Sequence, residues 1–153
     1  MTTATQDRPA VRTPTSAEHP VPTPSQVAPR LGTLSRTVAR GQVWLVSKDP
    51  AKPAVGHENW AGAPAVVVSD TRAANANGVV QVVYTTDSDG KRAGGAHVPV
   101  GQLPGGRGSA LALCEQVHSV DASRLRRKLT ELDAGTMEQV STAIARGLGL
   151  VLS

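Results

Sequence analysis

The sequence predicts a mainly β, α+β protein: a small antiparallel barrel with a C-terminal helix, preceded by a disordered tail. Three observations predict it. Five short β-branched or alternating runs lie between Gly/Pro turns in the middle of the chain. The apolar period changes to a helical one in the last third. Composition breaks after Arg40: residues 1–40 hold six of the 11 Pro and eight Thr but no Trp, Tyr or Phe. Such a stretch cannot bury enough apolar surface to offset its ordering entropy. The chain is therefore divided into a Pro/Thr-rich basic tail, 1–40, and a folded domain, 41–153.

The elements follow in order. Residues 42–47, QVWLVS, form a strand ended by Asp49-Pro50, and a Gly/Pro/Ala-rich loop follows. Residues 64–70, PAVVVSD, are a continuous β-branched run read as a buried strand. TRAANANG reads as a turn, because Asn77-Gly78 is a strong hairpin signal placed directly before the strand 79–85, VVQVVYT. After a polar loop comes a short strand, 96–100, where Pro99 implies an edge or a bulge. Residues 109–117, SALALCEQV, form the fifth strand. Asp121 is a plausible N-cap for a short helical turn through Leu125 and Leu129. The final helix has Thr136 and Gln139 in capping-box spacing. Its stripe of Met137, Val140, Ile144 and Leu148 either packs on the barrel or faces a partner.

Composition narrows the function classes. No apolar run approaches the roughly 18 residues of a spanning helix, so no membrane association is expected. No continuous apolar h-region marks a secretory leader, which makes the cytoplasm the expected location. The single Cys114 can form neither an internal disulfide nor a cysteine zinc site alone, and the four His show no ligand spacing. No cofactor or metal is expected. Only Trp44, Trp60 and Tyr84 carry aromatic rings, which argues against a nucleic-acid binder that works mainly by stacking. The net charge of +4 is mostly the tail's, leaving the folded domain at +1. The tail is either a solvated leader or a basic arm for nucleic-acid phosphates. Arg124, Arg126, Arg127 and Lys128 form a basic cluster, read as a solvated face or as a site for phosphate or an acidic segment.

Three segments in sequence order resemble one family, the MazF/PemK toxins of type II toxin–antitoxin systems: RGQVWLVSKDP leading into GHENWAG and PAVVVSD, then VVQVVYTTDS, then ALCEQVHSVDASRLRRKLTELDAGTMEQVSTAIARGLGL. The resemblance covers residues 40–150. It implies an SH3-like/CcdB-like barrel, a homodimer, and a metal-independent, sequence-selective endoribonuclease that cuts mRNA and is blocked by a cognate antitoxin. The gyrase poisons of the same fold are a more distant comparison.

RNA cleavage by this route needs a base, an acid and positive charge for the developing phosphorane. The resemblance assigns catalytic roles to Thr86, His57 and Glu115. Thr86 matches the family's catalytic Thr, with Thr85 as the neighbouring competitor; a strand-end Thr also satisfies its own backbone. His57 matches a loop His able to act as acid or base near pH 6.5, and is otherwise simply exposed. Glu115 matches an acidic position used as a base, and equally suits a brace for the turn that follows. Substrate contacts are expected from Trp60, which either stacks a base or anchors its loop, and from Arg72, Lys91 and Arg92. The chain departs from the family at two positions. Ala63 stands where the resemblance expects the Arg before Pro64, and Leu113 where some members carry another Arg. The enzyme reading is thus of a nuclease weakened at Ala63. Its alternative is a non-catalytic RNA- or antitoxin-binding module.

Overall fold

A computed structural model describes residues 37–49, 51, 53, 55–56, 62–89 and 94–150. All belong to the second of two units, Thr33–Ser153. The tail up to residue 36, with its disorder expectation, lies outside the described residues.

The described residues form six antiparallel strands and two α-helices. In chain order these are β1 (Gln42–Val46), β2 (Pro64–Val67), α1 (Thr71–Asn77), β3 (Val79–Asp87), β4 (His97–Gln102), β5 (Ser109–Asp121), β6 (Leu125–Glu131) and α2 (Ala134–Gly147). The hydrogen-bonded order is β4-β5-β3-β2-β1-β6. This matches the expected mainly β, α+β class.

Apolar side chains fill both sides of the sheet. Val43, Val66, Val83, Ala112 and Cys114 pack with Met137, Val140 and Ala143 of α2. Trp44, Ala65, Val67, Val80, Val82 and Tyr84 form a second cluster with Val38, Val120, Leu125 and Ala74 of α1. Successive residues of a strand point to opposite faces, so burial on both faces explains why β2 reads as an unbroken apolar run. Val38 lies just ahead of the boundary drawn at Gly41, yet it is buried and exchanges two backbone hydrogen bonds with the Asn75 amide, at 3.2 and 3.0 Å.

Three expectations are corrected. The segment read as a turn before β3 is α1. Asp70 accepts hydrogen bonds from the Arg72 and Ala73 amides, and Gly78 ends the helix with φ +67°. A hairpin turn and a helix C-terminus both ask for a left-handed glycine; the Asp70 cap and three alanines decide for the helix. Second, the helical turn after Asp121 lasts only through Ala122–Arg124, and Leu125–Glu131 is a strand on β1. The i, i+4 pair Leu125 and Leu129 looks helical, but bulges in the β1–β6 ladder send the two residues to different clusters. Third, α2 starts two residues before Thr136. Asp133 is the cap: it accepts from the Thr136 amide at 2.8 Å and the Thr136 hydroxyl at 3.0 Å. The stripe packs on the sheet through Ile144, while Leu148, just past the last turn, is exposed.

The reading of Pro99 holds on both counts: β4 is a sheet edge and its register shifts between Pro99 and Gly101. Gly41 combines φ +90° with a close approach to α2, where an added Cβ would meet Met137 Cγ at 3.3 Å. No helix among the described residues is long and apolar enough to cross a membrane.

Candidate functional site

At the end of the sheet where β2 begins and β3 finishes lies a groove of ≈ 500 Å³. Its polar lining includes Thr86, Asp87 and Arg127; Ala63, Pro64 and Leu45 border it, and the β4–β5 loop, with three glycines, forms one wall. Leu103, Ala110 and Leu129 belong to one core cluster and Ala63 packs on the other, so the groove laps over the rim of the sheet and collects side chains from both faces.

The register explains the grouping. Ala65 pairs with Tyr84. Continuing that antiparallel ladder puts Pro64 opposite Thr85 and Ala63 opposite Thr86. The two threonines differ sharply. Thr85 is only 4% exposed, and its hydroxyl donates to the Pro64 carbonyl at 3.0 Å. Thr86 is half-buried at the groove. Ala63 contributes a methyl group and no donor to the same rim.

The other candidate residues separate from this groove. Glu115 accepts from His97 Nε2 at 3.0 Å on the β4–β5 pair, with both side chains about one-third exposed. Thr86 pairs with Leu111, and Glu115 lies four residues further, about 13 Å along β5 at roughly 3.3 Å per residue. Glu115 is not among the groove-lining residues. Arg72 sits in the first turn of α1, beyond the opposite end of β2. His57, Trp60, Lys91 and Arg92 lie outside the described residues. Leu113 is buried.

Sequence reasoning placed Arg127 in a basic cluster on a helix and missed it as a groove residue. Arg127 pairs with Leu45, and Leu45 with Pro64. The missed signal was that β1 needs a second neighbour, and a basic segment carrying Leu125 and Leu129 can supply it.

Beneath this end of the sheet, Tyr84 is buried and meets His118 edge-on, with ring centroids 5.1 Å apart. Burial pushes the Tyr84 phenol up from its ordinary value, and the nearby Arg124 partly opposes that. Arg124 also donates to the Ser47 carbonyl at 2.7 Å, tying the 3₁₀ turn to the end of β1. Burial also pushes the Cys114 thiol up to about 11, with Glu115 adding to it, so the thiol is a poor nucleophile at neutral pH.

The fold is that of the small toxins of toxin–antitoxin systems. An endoribonuclease from a mycobacterial species superposes with a TM-score of 0.60 at 22% identity, covering 79% of this chain and 100% of its own. MazF from Deinococcus radiodurans gives 0.60 at 25% identity, covering 75% and 99%. A MazE–MazF complex from the same organism gives 0.57 at 24% identity, covering 76% and 99%. No curated protein sequence matches the chain. The model of the PemK-like, MazF-like toxins of type II toxin–antitoxin systems matches residues 39–148, and the chain belongs to that family, whose known members are endoribonucleases.

Proposed function

We propose that this protein is a sequence-selective endoribonuclease that cuts mRNA without a metal, with Thr86 at the centre of its site. RNA carries its own nucleophile. Attack of the 2′-oxygen on the adjacent phosphorus breaks the P–O5′ bond; the 2′-hydroxyl proton passes to a base and the leaving 5′-oxygen takes a proton from an acid. The products are a 2′,3′-cyclic phosphate and a 5′-hydroxyl. Because the nucleophile is internal to the substrate, protein groups suffice for the chemistry.

The observation that carries this reading is the half-buried Thr86 lining a groove at the sheet rim, in a chain of a ribonuclease toxin family. Its hydroxyl suits the scissile phosphate or the 2′-oxygen, whereas the Thr85 hydroxyl is already engaged by Pro64. His57 is the proposed acid or base, and Trp60, Arg72, Lys91 and Arg92 the proposed RNA contacts. Glu115 is proposed as the base. Its separation from Thr86 equally favours a brace that holds β4 to β5 through His97. The proposed partners are mRNA, a second copy of the chain and a cognate antitoxin, as in the MazE–MazF complexes of Deinococcus radiodurans. The proposed location is the cytoplasm.

Ala63 favours a second reading, a non-catalytic module that binds RNA or an antitoxin through the same groove. A preorganised donor of the kind Ala63 lacks is commonly worth about 10²–10³ in rate. Incubation with unstructured RNA in EDTA separates the two: a nuclease leaves cyclic phosphate ends, and the binding module retards the RNA intact.

A further inference from the structure

We propose that Arg127 supplies the guanidinium of the groove, contacting an RNA phosphodiester held against Thr86. The inference deepens the endoribonuclease reading above and rests on it for the identity of the substrate.

Cleavage of a phosphodiester builds negative charge on the non-bridging oxygens, and a fixed donor at that point lowers the barrier. Among the described residues that line the groove, Arg127 is the one basic side chain. Ala63, across from Thr86, contributes only a methyl group.

Position follows from the ladder. Arg127 stands opposite Leu45 on β1, and Leu45 stands opposite Pro64 on β2. Directly opposed residues in antiparallel strands share a face. One row therefore runs from Arg127 across Leu45 to Pro64, about 10 Å between Cα atoms, and the continued ladder adds Thr85; Thr86 and Ala63 point to the other face and share the groove with Arg127 where it laps over the rim of the sheet. The apolar Leu45 and Leu129 line the same groove as Arg127, and a long Arg stem can cover such apolar surface while its charged head stays in water. Its head is left to meet a ligand in the remaining space.

The guanidinium is also uncommitted. Arg127 takes part in neither the His97–Glu115 nor the Lys128–Glu131 ion pair. Its neighbour on β6, Lys128, is held by Glu131 at 2.9 Å. An Arg fork matches two phosphate oxygens at once, which a Lys point charge does not. Arg127 gives up no proton in this role: it binds the phosphate and offsets the charge that develops on it.

The test uses the full chain, a single-stranded RNA in EDTA for cleavage, and a 2′-O-methyl oligonucleotide of the same sequence for binding by fluorescence anisotropy across a salt series. Arg127→Ala is expected to lower cleavage by about 10²–10³ and to reduce the salt slope of binding by about 0.7. Arg127→Lys should recover the salt slope but not the full rate. Arg146→Ala, which removes the same charge from α2, should change neither. The proposal is overturned when Arg127→Ala cuts and binds like the wild type, or when Arg146→Ala falls as far. It is also overturned when Arg127→Ala keeps RNA binding but loses a poly-glutamate peptide, because the groove then docks an acidic protein. A wild type that cuts no RNA sinks the nuclease reading, while the anisotropy arm still decides Arg127.

Discussion

Thr85 and Pro64 are tied across the β2–β3 seam: the Thr85 hydroxyl donates to the Pro64 carbonyl at 3.0 Å from a position 4% exposed. Both threonines line the groove, but the next residue, Thr86, is only half-buried there. Two chemically identical neighbours therefore have separable roles. Thr85→Ala removes the donor to the part-buried Pro64 carbonyl and is expected to cost about 1 kcal/mol of stability. Thr86→Ala should stay within about 0.5 kcal/mol of the wild type and lose RNA cleavage. Urea denaturation read beside a cleavage assay checks both; a large stability loss in Thr86→Ala would reverse the assignment.

The Ala63 position gives a gain-of-function prediction. Ala63→Arg brings a guanidinium to the groove beside Thr86, from the neighbouring strand. Placed in the Arg127→Ala background, it is expected to restore most of the lost cleavage, and in the wild type to raise the rate. Initial rates on one defined RNA measure this. Unchanged rates in both backgrounds would show that this rim does not hold the reacting phosphate.

Gly78 tests the helix that sequence reading took for a turn. Its φ of +67° lies in the left-handed region, and an added Cβ meets nothing within 4 Å. Gly78→Ala therefore reports backbone strain alone, about 1–2 kcal/mol. Chemical denaturation should show that loss with cleavage retained. A neutral substitution would mean that the α1–β3 junction does not require the left-handed conformation.

Two raised pKa values predict alkaline weakness. The Tyr84 phenol and the Cys114 thiol both hold their protons more tightly when folded, mainly because burial disfavours the anions. Their unfolded values are near 10 and 8.5. Stability present below about pH 8.5 should therefore fall as pH rises through the folded values, about 11 for Cys114. Tyr84 is the chain's one tyrosine, so ultraviolet titration reads it without interference. Ionisation of Tyr84 at or below the ordinary value in the folded protein would contradict its burial.

Much of this fold was legible because burial and local chemistry agreed. The β-branched runs of β2 and β3 and the alternation in β5 report their strands directly, and Pro99 marks the irregular edge of β4. Two elements were misread where one local signal serves two structures. The Asn77-Gly78 pair suits a hairpin and a helix end alike, and Leu125–Leu129 spacing suits a helix until β1 claims the segment as a partner. Thr86 enters as a candidate through resemblance alone. The place of Arg127 in the groove was not legible, because it depends on pairing with Leu45, a residue far away in the chain. No local pattern encodes that neighbour.

RNA cleavage through the groove at Thr86 is decided by incubating wild type and Thr86→Ala with one unstructured RNA in EDTA and mapping the ends formed. Discrete cuts bearing 2′,3′-cyclic phosphate are expected from the wild type, and their loss in Thr86→Ala. Intact RNA with the wild type, or the same cuts from both proteins, would contradict it.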